Sequence, residues 1–182
     1  MSHKDRILEI MQKVVIANIQ TIAATIEALG IWQAGDSTYQ NVYKCLNLLV
    51  KEGKLIKEKN YYKIPACKSN FDSHAINLTC DLASILKSYP QSIIYREHTI
   101  SEVGLRPDAL VLIRKINQEG GGAACAIVYE CVLQERPEYL TKKENIWKTW
   151  QGALTFLTNL FNQKIPYFEF VTSENLNNFL LA

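Results

Sequence analysis

Residues 37–64 have the sequence STYQNVYKCLNLLVKEGKLIKEKNYYKI. The first half of this stretch spaces its apolar residues as an amphipathic helix does, at Val42, Leu46, Leu49 and Val50. Gly53 is placed to end the helix, because glycine readily adopts the left-handed conformation found at helix C-termini. Two short strands joined by a tight turn follow, at 54–58 and 61–64. The stretch therefore predicts a helix followed by a β-hairpin.

Two further helices are predicted before this stretch. Residues 4–14 and 19–29 both carry apolar side chains three or four positions apart, and Gly30 ends the second of these segments. Pro65 follows the hairpin and cannot continue a strand ladder. Three helices and a hairpin thus predict a first domain that covers residues 1–66.

The predicted helix and hairpin of residues 37–64 also carry polar groups that suit a nucleic acid. The helix turns several of them away from its apolar stripe, at Thr38, Gln40, Asn41 and Lys44. Such side chains can bind base edges in the major groove of DNA. The hairpin adds candidates for contact with phosphates, at Lys57, Lys59 and Tyr61. The remaining tyrosines of the stretch are expected to pack inside the domain, at Tyr39, Tyr43 and Tyr62.

The charge of the chain is small but unevenly placed. The net charge of the 182 residues is +2. Residues 1–66 contain nine Lys and Arg against six Asp and Glu, whereas residues 67–182 contain eleven against twelve. Six of the lysines lie between Lys44 and Lys63, where there are only two acidic residues. A local basic face is therefore expected in the same region as the polar helix.

Several protein classes are disfavoured by the composition. No apolar stretch approaches the roughly 18 residues that a membrane span needs, and charges interrupt the first apolar run, unlike in a signal peptide. The five cysteines are odd in number and contain no CxxC pair, which favours a reduced, cytoplasmic environment over disulfides or a zinc knuckle. No Walker loop, GxSxG or HExxH motif is present.

The stretch of residues 37–64 resembles the winged helix-turn-helix family. The family pattern of a recognition helix, L-x-x-L-V-x-E-G-x-[LI] and a wing matches it, and the resemblance extends over nearly all of residues 4–66. The resemblance implies that this domain binds double-stranded DNA. Some winged helices serve only to dock other proteins, which is the alternative for this domain.

The rest of the chain, residues 67–182, is predicted to form one α/β sandwich domain. A short linker at 66–72 precedes a helix that ends before Pro90. Strands are predicted at 92–97, 109–113, 124–133 and 167–171, and a long helix at 137–161. This order implies an α+β protein with helices packed on a sheet.

Part of this second domain resembles the core of the PD-(D/E)xK nuclease superfamily. The segment GLRPDALVL, residues 104–112, and Glu130 on the next predicted strand carry the resemblance. His74 at the start of a helix and the long basic and aromatic helix are similar to the replication-relaxation family of plasmid and mobile-element proteins. Those proteins also have an N-terminal winged helix, so the resemblance covers almost the whole chain.

The resemblance implies a site for divalent metal. Asp108 and Glu130 would hold magnesium or manganese through carboxylate oxygens, and the metal would activate water. Active families have a lysine two residues after the second acid, where this chain has Val132. Lys142 and Lys143 are the candidates to supply the missing charge. A non-catalytic polar cluster and plain surface acids are the alternatives; a third carboxylate could come from Glu97.

The sequence thus predicts a DNA-binding protein of a mobile element, acting in replication, mobilisation or transcription control, with an inactive nuclease-like domain. One alternative is a metal-dependent endonuclease of the PD-(D/E)xK type. The other is a dimeric transcription regulator or a protein-interaction module, in which the C-terminal domain makes a homodimer or binds a protein partner.

Overall fold

In the computed structural model of the protein, the described residues are 2–32, 36–68, 72–116, 122–133 and 137–181. Helices and strands both occur along these residues, which confirms the predicted α+β class. The chain forms two compact units, Met1–Pro90 and Gln91–Ala182. None of the described helices is both long enough and apolar enough to cross a lipid bilayer.

The first unit combines helices with a small antiparallel sheet. Its described elements are, in chain order, α1 (His3–Val14), β1 (Ile16–Asn18), α2 (Ile19–Ala28), α3 (Asp36–Lys51), β2 (Ile56–Glu58), β3 (Tyr61–Lys63) and α4 (Ser73–Ser88). The strand order is β1-β3-β2, and both pairings are antiparallel. The sequence does not predict β1, because three residues are too few to show an alternating pattern. The other elements lie close to their predicted positions.

Local side chains fix where the helices of this unit begin and end. Asn18 Oδ1 accepts the backbone N–H of Thr21 at 2.9 Å and starts α2. Asp72 Oδ1 accepts the N–H of Ala75 at 2.9 Å and starts α4 in the same way. Each bond satisfies a backbone donor that the first helical turn leaves without a partner. Gly53 has a φ of +70° and ends α3 as predicted.

The helix α4 belongs to the first unit. The hydroxyl of Thr79 donates a hydrogen bond of 2.7 Å to the carbonyl oxygen of Ile16 in β1, and both residues are buried. Ala75, Ile16 and Tyr61 also share one buried cluster. The first compact unit consequently ends at Pro90 rather than at the expected boundary, residue 66.

The second unit is a four-stranded mixed sheet with helices. Its described elements are β4 (Ile93–Arg96), β5 (Ala109–Ile116), β6 (Gly122–Glu130), α5 (Pro137–Thr149), α6 (Ala153–Phe161), β7 (Tyr167–Thr172) and α7 (Leu176–Leu181). The strand order is β4-β5-β6-β7. The first two pairings are antiparallel, and the pairing of β6 with β7 is parallel. A parallel pairing needs a long crossover, which here contains α5 and α6.

The core of the second unit lies between the sheet and these two helices. Trp147 on α5 and Leu157 on α6 are fully buried in one cluster with Leu110 of β5 and Val128 of β6. All residues of β6 from Ala124 onwards are buried. This burial explains why the strand shows a continuous apolar run instead of alternation.

The prediction of one long helix at 137–161 is wrong, because the helical conformation is interrupted between α5 and α6. Gly152 precedes α6 as its N-cap residue. A Cβ atom at Gly152 would lie only 2.8 Å from Nε1 of Trp150, so the close approach of the indole requires glycine at this position. The break divides the predicted single helix into two that both pack on the sheet.

Candidate functional site

The outer face of α3 is the first candidate site. Its exposed residues recur at helical spacing, at Tyr39, Gln40, Tyr43, Lys44, Leu48 and Lys51. On the opposite face Val42, Leu46 and Leu49 are fully buried, as the apolar stripe predicts. The helix therefore has one face in the core of the unit and one face available to a partner.

The predicted groove residues of α3 differ in how exposed they are. Gln40 and Lys44 are exposed, and Asn41 is half-buried at the edge of the face. Thr38 is only 1% exposed, so its prediction as a base contact is wrong. Thr38 lies one turn before Val42 and shares its buried face, a spacing that is visible in the sequence.

Two of the tyrosines predicted to pack are exposed instead. Tyr62 is 2% exposed, which confirms its packing role. Tyr39 and Tyr43 are 45% and 44% exposed, so the same prediction is wrong for them. A side-chain hydrogen bond with Asn47, and then the charge of Lys57, hold the pKa of Tyr43 below its ordinary value of 10.0.

The β2–β3 hairpin places a lysine beside this face. Lys57 is exposed, and its Nζ lies 5.2 Å from the centre of the Tyr43 ring and 5.7 Å from that of Tyr62. A cation over an aromatic face is attracted by the ring electrons. Lys59 is exposed at the turn, with a φ of +52°. Both predicted phosphate contacts of the hairpin are thus accessible, and Lys57 joins the hairpin to α3.

Tyr61 has a structural role instead of the predicted contact. It is 9% exposed, and its hydroxyl donates a 2.5 Å hydrogen bond to Oε2 of Glu58. The same carboxylate pairs with Lys63 at 2.6 Å. Lys63, followed by Tyr61, holds the pKa of Glu58 below its ordinary value. These contacts connect the two strands, and the prediction of Tyr61 as a DNA contact is wrong because its side chain is buried.

The second candidate site lies at one end of the sheet in the second unit. Asp108 directly precedes β5, and Glu130 is the last residue of β6. Because Ala109 pairs with Tyr129, the antiparallel register brings the two acidic residues next to each other. Oδ2 of Asp108 accepts the backbone N–H of Cys131 at 2.7 Å.

Lys143 reaches this site from α5. Its Nζ lies 2.7 Å from Oε2 of Glu130, and the two side chains are 11% and 5% exposed. Burial opposes the charged ammonium, but the hydrogen bond and charge of Glu130 outweigh it and raise the pKa of Lys143, with help from Tyr139. Lys142 is exposed and lines the outer surface of α5 with Glu138 and Asn145. Of the two candidate lysines, the structure brings only Lys143 to the carboxylates.

Val132, where the resemblance leads us to expect a lysine, makes a backbone contact. The backbone N–H of Val132 donates a 2.9 Å hydrogen bond to Oγ of Ser173, which the sequence did not single out. Ser173 directly follows β7, so this bond joins the chain after β6 to the chain after β7. No motif in the sequence marks this serine.

A third carboxylate lies at the same end of the sheet. Glu97 follows β4, and its backbone N–H donates to the carbonyl oxygen of Asp108 at 2.9 Å. The carboxylate of Glu97 accepts a 2.7 Å bond from Nη2 of Arg106. The φ of Glu97 is +53°, a conformation uncommon for residues other than glycine.

The arrangement does not fit a divalent cation well. The three carboxylates are already bound by donors of this chain: the guanidinium of Arg106, the N–H of Cys131 and the ammonium of Lys143. Within the part of the chain that the structure describes, no three His, Cys, Asp or Glu side chains form a group that could hold a metal ion. Oδ2 of Asp108 and Oε2 of Glu130 are thus both engaged by donors of this chain.

No protein-family model, curated protein or solved structure matches this chain.

Proposed function

We propose that the protein binds double-stranded DNA with α3 and the β2–β3 hairpin. The observation that carries this proposal is the exposed face of α3, where Gln40 and Lys44 lie on the same side of the unit as the hairpin lysine Lys57. The order of helices and strands in the first unit, with the sheet order β1-β3-β2, supports the winged helix-turn-helix resemblance.

The chemistry of the face suits a duplex. An α-helix fits the major groove, where an amide such as that of Gln40 can bind a base edge in two places. Lysines on a neighbouring hairpin can bind phosphates, which position the helix but carry no sequence information. Among the described residues, Lys44, Lys57 and Lys59 form no ion pair with an acidic side chain, so their charges are available to a polyanion.

We propose that the second unit is a nuclease-like scaffold without catalytic activity. The order of β4, β5, β6, the crossover helices and β7 supports the PD-(D/E)xK resemblance. Two observations support loss of activity: Val132 stands where active families have lysine, and Oδ2 of Asp108 already accepts the backbone N–H of Cys131. A role in replication, mobilisation or transcription control of a mobile element follows from the resemblance alone.

Fluorescence anisotropy with a labelled duplex tests DNA binding. We expect Gln40→Ala and Lys44→Ala each to weaken binding by a factor of roughly 5 to 150, because removing one base interaction costs about 1–3 kcal/mol. Gln12→Ala on α1 and Lys87→Ala on α4 remove the same groups from exposed positions outside α3 and should bind as the wild type does. Wild-type protein that folds but binds no duplex would support the protein-docking alternative.

One observation favours the endonuclease alternative. Lys143 supplies an ammonium beside Glu130, which is the charge that Val132 fails to supply. Nicking of supercoiled plasmid with magnesium or manganese tests this, together with calorimetric titration of manganese. We expect no more than marginal nicking and weak or no metal binding in the wild type. Robust nicking that disappears in both Asp108→Asn and Glu130→Gln would establish a nuclease and reject the scaffold.

A further inference from the structure

The exposed face of α3 is partly apolar and contains no arginine. Tyr39, Tyr43 and Leu48 are exposed by 45%, 44% and 48%. The helix sequence DSTYQNVYKCLNLLVK contains two lysines but no arginine. A solvated helix face usually carries charged side chains, so rings and an aliphatic chain at these positions call for a partner with apolar groups.

The base pairs differ in what they offer such a face. In the major groove, the 5-methyl group of thymine is the apolar group on a base edge. Adenine offers N6 and N7, which match the amide of Gln or Asn, whereas guanine is matched best by the charged donors of Arg or Lys. The exposed amide of Gln40 and the exposed rings beside it thus match an A·T pair, while Lys44, one turn after Gln40, can bind a phosphate or a base edge.

The two rings are placed to make this contact. Tyr39 and Tyr43 are four residues apart and adjoin on the helix surface, and Gln40, three residues before Tyr43, lies beside this pair. The Tyr43 ring is held by Lys57 on the hairpin and by the side chain of Asn47. The lysines beside the rings favour DNA over an apolar protein surface as the occupant, because they would have to be desolvated against a protein.

We propose that α3 selects A·T base pairs, with Gln40 on adenine and the ring carbons of Tyr39 and Tyr43 against thymine methyl groups. This inference rests on the proposed binding of duplex DNA by the same helix. It names the class of DNA site that the face recognises.

The test uses the wild-type full chain and three duplexes of equal length. The first duplex presents A·T pairs. The second has the same sequence with deoxyuridine in place of every thymine, and the third presents G·C pairs instead. Deoxyuridine keeps every hydrogen-bonding group of thymine and lacks only the methyl. We expect binding to weaken about fourfold for each buried methyl that is removed, since burying one such carbon is worth about 0.8 kcal/mol. The G·C duplex should bind more weakly by a factor of roughly 5 to 150.

Matched variants assign the effect to the tyrosines. Tyr39→Phe with Tyr43→Phe keeps the ring carbons and should keep the preference for thymine over deoxyuridine. Tyr39→Ala with Tyr43→Ala should abolish this preference. If that double variant does not fold, the single variants Tyr39→Ser and Tyr43→Ser take its place, and each should lose part of the preference for thymine. A preference that persists in folded variants without the rings would overturn the assignment.

The outcomes separate this inference from the proposed function. Equal binding of the thymine and deoxyuridine duplexes by the wild type would overturn the inference and leave DNA binding intact. Failure to bind any of the three duplexes would overturn the proposed function itself, and the inference with it.

Discussion

The exposed face of α3 and the carboxylate cluster of the second unit use charge in opposite ways. Lys44 and Lys59 extend into solvent, and the structure gives them no acidic partner among the described residues. Glu130 and Lys143 are buried against each other at 2.7 Å. Exposed charges can act on a partner, whereas buried and paired charges act mainly on the fold. The contrast teaches that nearness of carboxylates does not by itself make a metal site.

The largest effect should come from separating the buried pair. Lys143→Met leaves the Glu130 carboxylate buried without its ammonium, and we expect the free energy of unfolding to fall by about 3–5 kcal/mol. Lys142→Met changes the neighbouring but exposed residue and should stay within about 0.5 kcal/mol of the wild type. Urea denaturation measures both. Equal losses in the two variants would contradict the distinction that the structure makes between these lysines.

A double variant sharpens this measurement. Replacing both members of a buried ion pair with apolar residues is often close to neutral, because no charge remains to be desolvated. Lys143→Met combined with Glu130→Leu should therefore recover most of the stability that Lys143→Met loses.

A smaller effect, on binding instead of stability, is expected for the hairpin. Lys57→Gln with Lys59→Gln should weaken binding to all duplexes alike. It should also flatten the plot of log affinity against log salt by roughly 1.8, because each phosphate that a lysine neutralises contributes about 0.9 to the slope. Lys68→Gln with Lys87→Gln removes the same charge from exposed positions elsewhere in the first unit and should not change the slope. An unchanged slope in the hairpin variant would mean that these lysines do not bind DNA.

The smallest effect is a loss of stability at high pH. The pKa of Lys143 is raised above its ordinary value of 10.5 in the folded protein, so its contribution is full below that value and is lost as the pH rises through the folded pKa. Lys143→Arg keeps its charge at any accessible pH. As the pH rises above 10.5, the wild type should therefore lose more stability than Lys143→Arg in urea denaturation. If the free energies of unfolding of the two proteins fell equally with pH, the Lys143 ammonium would not titrate as its pairing with Glu130 requires.

Regular patterns made most of the first unit predictable. The apolar spacing of α3 and the position of Gly53 indicated the helix and its end, and both depend only on neighbours along the chain. The same spacing also indicates that Thr38 is buried, because Thr38 lies one turn before the buried Val42. The exposure of Tyr39 and Tyr43 was not predictable from their chemistry, because a tyrosine is equally at home in a core and at an interface.

Contacts between distant segments limited the prediction of the second unit. The nearness of Asp108 and Glu130 was implied by the nuclease resemblance, and the pairing of Ala109 with Tyr129 brings these two residues to neighbouring strand ends. The choice of Lys143 over Lys142 depends on which face of α5 meets the sheet. Trp147, one turn further on, is the other buried residue of this helix and was the available signal. The sequence pattern also does not show the close approach of the Trp150 indole to Gly152, between α5 and α6.

The hydrogen bond from Thr79 to Ile16 determines how the chain can be divided experimentally. A fragment that ends at residue 66 would lack α4, leave the Ile16 carbonyl without this donor and uncover the apolar surface that Leu78 and Leu82 bury. Such a fragment should be prone to aggregation despite containing every residue of the exposed face of α3. A cut after Pro90 keeps these interactions, and a protease acting on the native chain should accordingly leave Thr79 in the same fragment as Ile16.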